Sequence, residues 1–175
     1  MKRAGYTIVE LLVVIVISAL LTTVMIAYSS KSRAMLAAMV EKATMVQVLQ
    51  RARSLAISTY SNPNPHCAIG VAIDFNTNTY TLQEFDSPNC VLTDIGSPSV
   101  TRTTIQRYSL NPQVKFVSQG DSLQYVLFIP PEPSLKLWGN SLIATTSQGS
   151  IILGSKAGSE NLFSIQVNES GLINF

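Results

Sequence analysis

Histidine, tryptophan and charge are what this 175-residue chain has least of: one His, one Trp, and 13% Asp, Glu, Lys and Arg together. A lone His66 beside two cysteines falls short of the ligand sets of zinc sites, so no metal is expected. Little charge combined with 46% hydrophobic residues excludes a disordered chain, which is rich in charge and poor in apolar side chains. Nine Gly and eight Pro are ordinary usage, which excludes collagen-like and low-complexity classes. There is no G-x-S-x-G elbow and no Gly-rich phosphate loop, so the common nucleophile and nucleotide devices are missing. A formal net charge of +2 gives no strong bias toward acidic or basic partners. The length allows one folded domain plus an appendage.

Two absences are local and more telling. No Gly or Pro occurs between Tyr6 and Ser61, and no charged residue between Leu11 and Tyr28. Extended back to Ile8, the apolar run has 21 residues interrupted by Glu10. As a helix it covers about 32 Å, close to the thickness of a bilayer core. A secretory signal peptide is the first rival, since Lys2 and Arg3 supply a basic start. But the run is long for that, and it continues from Ser32 as an amphipathic pattern rather than relaxing into a loop. Met35, Met39, Val46, Leu49 and Ala56 form the expected core stripe, widened by Leu36, Val40 and Ala43. The pattern predicts one helix over 6–58, with a membrane-spanning part at about 8–28.

Glu10 is out of place in such a run. A carboxylate at the centre of a membrane helix costs about 2.5–3.5 kcal/mol on insertion scales, and less near the interface. It is either a functional acid or a side chain that snorkels to the headgroups. Composition leaves both readings open.

Ser61-Asn62-Pro63-Asn64-Pro65 ends the helix, and the hydrophobic period then changes from 3.6 to 2. Ile69, Val71 and Ile73 alternate with smaller residues, Asn76-Thr77-Asn78 reads as a turn, and Thr79 to Phe85 as the returning strand. Further strands are expected at Val100–Leu110, Val114–Phe116, Tyr125–Ile129, Leu135–Trp138, Leu142–Thr146, Ser150–Leu153 and Phe163–Val167. A last hairpin arm follows at Leu172–Phe175. The fold class is α+β: a long N-terminal helix packed on an antiparallel β-sheet or sandwich head spanning 59–175. Cys67 and Cys90 sit beside loops, outside apolar runs. They are read as a disulfide, with two buried thiols as the alternative. His66 is read as an ordinary exposed side chain, since adjacent strand residues point to opposite faces and cannot make a His66–Cys67 dyad. Asp74, Glu84, Asp86 and Asp94 form no pair readable from spacing. No catalysis and no cofactor is expected.

The string Gly5-Tyr6-Thr7-Ile8-Val9-Glu10-Leu11-Leu12, after a short basic leader, resembles the processing motif of type IV pilins and type II secretion pseudopilins. The resemblance implies a leader, residues 1–5, cut after Gly5 by prepilin peptidase, and N-methylation of the new terminus, Tyr6. It implies assembly roles for Glu10, Thr7 and Leu11, with Glu10 meeting the terminal amine as subunits stack. Opposite charges attract far more strongly in a low dielectric than in water, which suits that role. The family often has Phe where this chain has Tyr6. Cleavage removes Lys2 and Arg3 and leaves 10 basic and 10 acidic residues. The basic residues Lys2, Arg3, Lys31 and Arg33 flank the span almost evenly. A cytoplasmic N-terminus and an extracytoplasmic, periplasmic head at the inner membrane therefore follow from the resemblance alone.

Arg51-Ala52-Arg53-Ser54-Leu55-Ala56-Ile57, Gln148–Leu153 and the 163–173 segment are similar to the GspH/FimT branch of minor pilins. The implied partners are prepilin peptidase, other pilin or pseudopilin subunits and the membrane. Some FimT relatives bind DNA through basic residues around the last hairpin. Here Leu172-Ile173-Asn174 is uncharged, and residues 101–175 hold five basic side chains against four acidic ones. Nucleic acid is thus not expected as a partner; weak contacts would fall to Arg102, Arg107 and Lys115. Two rivals stand beside assembly: a DNA-binding minor pilin acting in uptake, and a plain membrane-anchored β domain.

Overall fold

A computed structural model describes residues 7–61, 66–90, 92, 94–131, 134–139, 145–158, 160–171 and 173–174; the side chains of residues 27, 30, 31, 89 and 145 are outside that description. One uninterrupted helix, α1 (Ile8–Thr59), runs for 52 residues, about 78 Å. Ten strands follow among the described residues: β1 (Ala68–Asp74), β2 (Thr79–Asp86), β3 (Thr101–Ser109), β4 (Val114–Val117), β5 (Tyr125–Ile129), β6 (Ser134–Trp138), β7 (Thr145–Thr146), β8 (Gln148–Ser155), β9 (Asn161–Asn168) and β10 (Ile173–Asn174). The α+β layout is thus a long helix on antiparallel sheet. The Leu142–Thr146 and Leu172–Phe175 expectations fall partly on residues outside the described set.

The strands form two sheets. The larger has the order β3-β2-β1-β5-β6-β7 and the smaller the order β10-β9-β8-β4. Asn78 ties the two together. It closes the β1–β2 turn at φ 53°, a left-handed conformation that Asn tolerates. Its side-chain oxygen accepts from the Phe116 N–H at 2.9 Å, and its carbonyl from the Leu110 N–H at 3.1 Å.

α1 behaves as two different helices. Over Ile8–Ile26 no residue is buried, and these 19 residues are long and apolar enough to cross a membrane. Farther on, one face enters the head. Ala34, Ala38, Met45, Val48, Leu49, Ala52 and Ala56 are buried. From Ala38 on, they meet Ile69, Val71 and Ile73 of β1, Val126 and Phe128 of β5, and Ile151, Leu153, Ile165 and Val167 of the smaller sheet. The expected core stripe was displaced. Met35, Leu36, Met39 and Val40 are exposed, Ala43 is exposed, and Val46 is half-buried. Small alanines let the helix approach the sheets closely, and the bulkier Met and Leu side chains are left on the outer side. Leu49 and Ala56 do lie in the core.

A second core lies on the opposite face of the larger sheet. The segment after β2 folds back over it and delivers Leu92, Ile95 and Val100 onto Ala68, Phe85, Leu127 and Trp138. Gly70 keeps the floor of that sheet low: a Cβ there would stand 2.4 Å from the Val126 carbonyl oxygen.

Candidate functional site

The start of α1 is a reciprocal cap. The Thr7 hydroxyl oxygen accepts from the Glu10 N–H at 3.3 Å. In return, Glu10 Oε2 accepts from the Thr7 backbone N–H at 2.9 Å and from the Thr7 hydroxyl at 3.0 Å. Such a capping box satisfies backbone donors that the first helical turn leaves without carbonyl partners. Thr7 and Glu10 are therefore one unit, and the carboxylate is folded back toward the chain terminus rather than out along the apolar run. Leu11 closes the first turn, its N–H donating to the Thr7 carbonyl at 3.3 Å, and its side chain is exposed. The expected cleavage and methylation residues, Gly5 and Tyr6, lie outside the described residues.

The other singled-out residues are dispersed. Cys67 and Cys90 are joined in a disulfide, with Cα atoms 5.0 Å apart across 23 positions. The bridge pins the segment after β2 to the residue before β1. Arg102 holds the same segment from β3, with Nη2 donating to the Ile95 carbonyl at 2.6 Å and Nη1 to the Tyr125 hydroxyl at 3.2 Å. Lys136 adds a bond to the Leu92 carbonyl at 3.4 Å. Arg107 stands on β3 opposite Thr81, while Lys115 stands on β4 in the other sheet, opposite Gly154. β3 and β4 belong to different sheets, so the three cations are not one ladder or one row.

Sequence reasoning missed one cluster. His66 Nδ1 lies 2.9 Å from Asp86 Oδ2, and Nε2 lies 3.6 Å from Glu84 Oε1. Asp86 Oδ1 also accepts the Cys67 N–H at 3.3 Å. His66 is therefore a part-buried, doubly paired side chain and not an ordinary exposed one. The hydrogen bond to Asp86, with the charges of Asp86 and Glu84 behind it, raises its pKa above the usual histidine value against the opposing effect of burial. A signal was available. The hairpin register pairs Ala68 with Phe85, and one more step brings His66 and Cys67 beside Asp86. Among the described residues, no group of three or more His, Cys, Asp or Glu side chains could hold a metal ion.

The deciding observation is at the N-terminus. Residues 1–26 match the family model of the prokaryotic N-terminal methylation motif. This chain carries a prepilin-type N-terminus. The motif supports a type IV pilin-like prepilin, which is processed by prepilin peptidase and assembled with other pilins. Together with the apolar first half of α1, it supports a membrane-anchored prepilin. The chemistry attached to this motif is structural rather than catalytic. No curated protein and no solved structure matches the chain.

Proposed function

We propose that the chain is the precursor of a minor pilin or pseudopilin of the GspH/FimT type, built into a type IV pilus or a type II secretion pseudopilus. One observation carries the reading: the matched motif opens a helix whose first 19 residues are wholly uncovered and whose second half is fixed into the head. An exposed apolar rod ending in a capped Thr7–Glu10 pair suits a part that leaves lipid and stacks against its equivalents in neighbouring subunits. Prepilin peptidase cuts after Gly5 and methylates Tyr6, one residue before the Thr7 N–H that Glu10 already holds. The carboxylate therefore stands close in the chain to the new amine. In the apolar interior of a filament, such a pair rewards one register and penalises others. The leader is cytoplasmic and the head lies on the far side of the inner membrane.

The test is the intact mass of the protein extracted from its native membrane. Loss of residues 1–5 with gain of one methyl group is the expected result. An uncut chain in cells with an active prepilin peptidase rejects assembly and leaves an anchored β domain. Glu10→Ala is expected to insert and fold normally yet be lost from purified filaments at least ten-fold relative to the unaltered chain.

A further inference from the structure

A groove opens between α1 and the head just past the apolar stretch Ile8–Ile26. It has a volume of about 540 Å³ and is lined by Thr22, Met25, Ile26, Ser29 and Arg33 of α1 and by Gln113 of the head. Positions 22, 26, 29 and 33 have the spacing of one helix face, with Met25 beside it. The groove is apolar at one end and polar at the other. Met25 and Ile26 are exposed apolar side chains. The Thr22 hydroxyl donates to the Ser18 carbonyl at 2.7 Å, so it brings no unmet donor to that end. Arg33 and the Gln113 amide stand at the other end. The head's segment is fixed there. The Asn111 N–H donates to Glu41 Oε1 at 2.9 Å, and the Gln113 N–H donates to the Asn111 side chain at 3.0 Å. The Gln113 carbonyl accepts the Lys156 N–H at 2.9 Å.

Helix geometry sets the depth of this groove in a bilayer. Ile8–Ile26 covers about 29 Å, close to the hydrocarbon thickness. Arg33 lies about 10 Å farther along the axis. Helical side chains lean back toward the N-terminus, so its guanidinium lies over the turn of Ser29, at the level of lipid headgroups. Charge at that level has one sign on the helix. Lys31 and Arg33 are there, and no Asp or Glu occurs between Glu10 and Glu41. Glu41 lies about 12 Å beyond Arg33 and accepts the Asn111 N–H. On the head side, Lys156 and Glu160 share the β8–β9 turn and carry opposite charges, so the cations of α1 set the sign.

We propose that this groove holds one anionic phospholipid of the leaflet nearest the head, with an acyl chain along Met25 and Ile26 and its phosphate against Arg33 and the Gln113 amide. A guanidinium binds phosphate oxygens at two points, which fixes the headgroup as well as attracting it. A zwitterionic lipid brings the same phosphate but adds an ammonium beside Lys31 and Arg33, and like charges repel. A soluble anion fits the polar end and leaves the apolar end uncovered. A second α1 standing at the same height presents the same two cations, which disfavours it as the occupant. The lipid ties the head to the membrane surface. The inference rests on α1 crossing a membrane, and it holds for an anchored domain as well as for a filament subunit.

The experiment places the full chain in nanodiscs of equal phosphatidylglycerol and phosphatidylcholine and weighs it by native mass spectrometry with the lipid it retains. One phosphatidylglycerol per chain is expected, at least five-fold over phosphatidylcholine. Phosphatidylglycerol with a photoreactive headgroup should crosslink to residues 29–33 and 113. Arg33→Gln, at an exposed position, should lower retention about five-fold, the worth of one basic side chain at an anionic surface. Gln113→Ala keeps every charge and should lower it about three-fold, through loss of one hydrogen bond. Arg53→Gln, exposed and far along α1, should leave it unchanged. Fluorescence of the single, buried Trp138 verifies that each variant is folded. Equal retention of the two lipids, no loss with Gln113→Ala, or an equal loss with Arg53→Gln would overturn the proposal. So would crosslinks elsewhere, displacement by millimolar inorganic phosphate, or a dimer in place of the lipid adduct. A chain that does not enter the nanodisc removes the membrane reading itself, and this proposal with it.

Discussion

The two halves of α1 share one backbone but neither composition nor surroundings: Glu10 is the one charge from Ile8 to Tyr28, whereas Lys31, Arg33, Glu41, Lys42, Arg51 and Arg53 follow. Ile8–Ile26 is bare on every side, while one face of Ala38–Ala56 packs in one cluster with residues of both sheets. Side-chain size separates them. The buried face has four alanines with Met45, Val48 and Leu49, and the bare half is mostly Leu, Ile and Val. A helix that must approach two sheets gains from small residues, because interiors are close-packed and a methyl group too many is felt. A helix that meets lipid or other helices has no such neighbour to fit. Within the second half the alanines mark much of the face that meets the sheets, and Met35, Leu36, Met39 and Val40 mark the outer side.

The sharpest way to break that contrast is a pair of truncations. Leu49→Ala should cost the head about 2–5 kcal/mol in a denaturant titration followed by Trp138 fluorescence. Leu12→Ala removes the same atoms from the bare half and should leave that curve within about 0.5 kcal/mol. Next in size, Cys67→Ser with Cys90→Ser opens a loop closed across 23 positions and should cost about 2–4 kcal/mol, with the loss centred on the second core around Trp138. Overpacking sharpens the rule about small residues. Ala38→Leu should destabilise by about 1–3 kcal/mol, whereas the exposed Leu36→Ala should change little. The smallest effect concerns pH. His66 has its pKa raised above 6.5, so its pairing with Asp86 and Glu84 contributes fully below that value and fades as pH rises through the higher folded value. The head should melt slightly higher at about pH 5.5 than at about pH 8, and His66→Ala should flatten that part of the profile.

Much of this was legible in the residues. The α+β layout followed from an unbroken 3.6-residue period that gives way to a period of two at a Pro-rich break. The first hairpin followed from Asn76–Asn78 between alternating runs, and the prepilin-type start from eight consecutive residues. What was not legible depended on distance through space. Hydrophobicity alone placed Met35 and Met39 in the core, because it cannot weigh how near a sheet will come. His66 is far in the chain from Glu84 and Asp86, and the register of β1 on β2 brings it to them. That Arg102 secures a carbonyl of its own loop required knowing that the loop folds back over the sheet.

The main core joins the first and last parts of the polypeptide: Ala38 to Ala56 of α1 pack in one cluster with Ile165 and Val167 of β9. In kinetic terms this is high contact order, since the reward for these contacts comes only after a long loop has closed. The apolar anchor leaves the ribosome first and the strand that completes its neighbouring core leaves nearly last. Throughout synthesis, the Ala-rich face therefore waits with its partner surface missing. The head becomes one cooperative unit only when β8 and β9 arrive, so a chain stopped before Asn161 would be anchored but have an unfinished core.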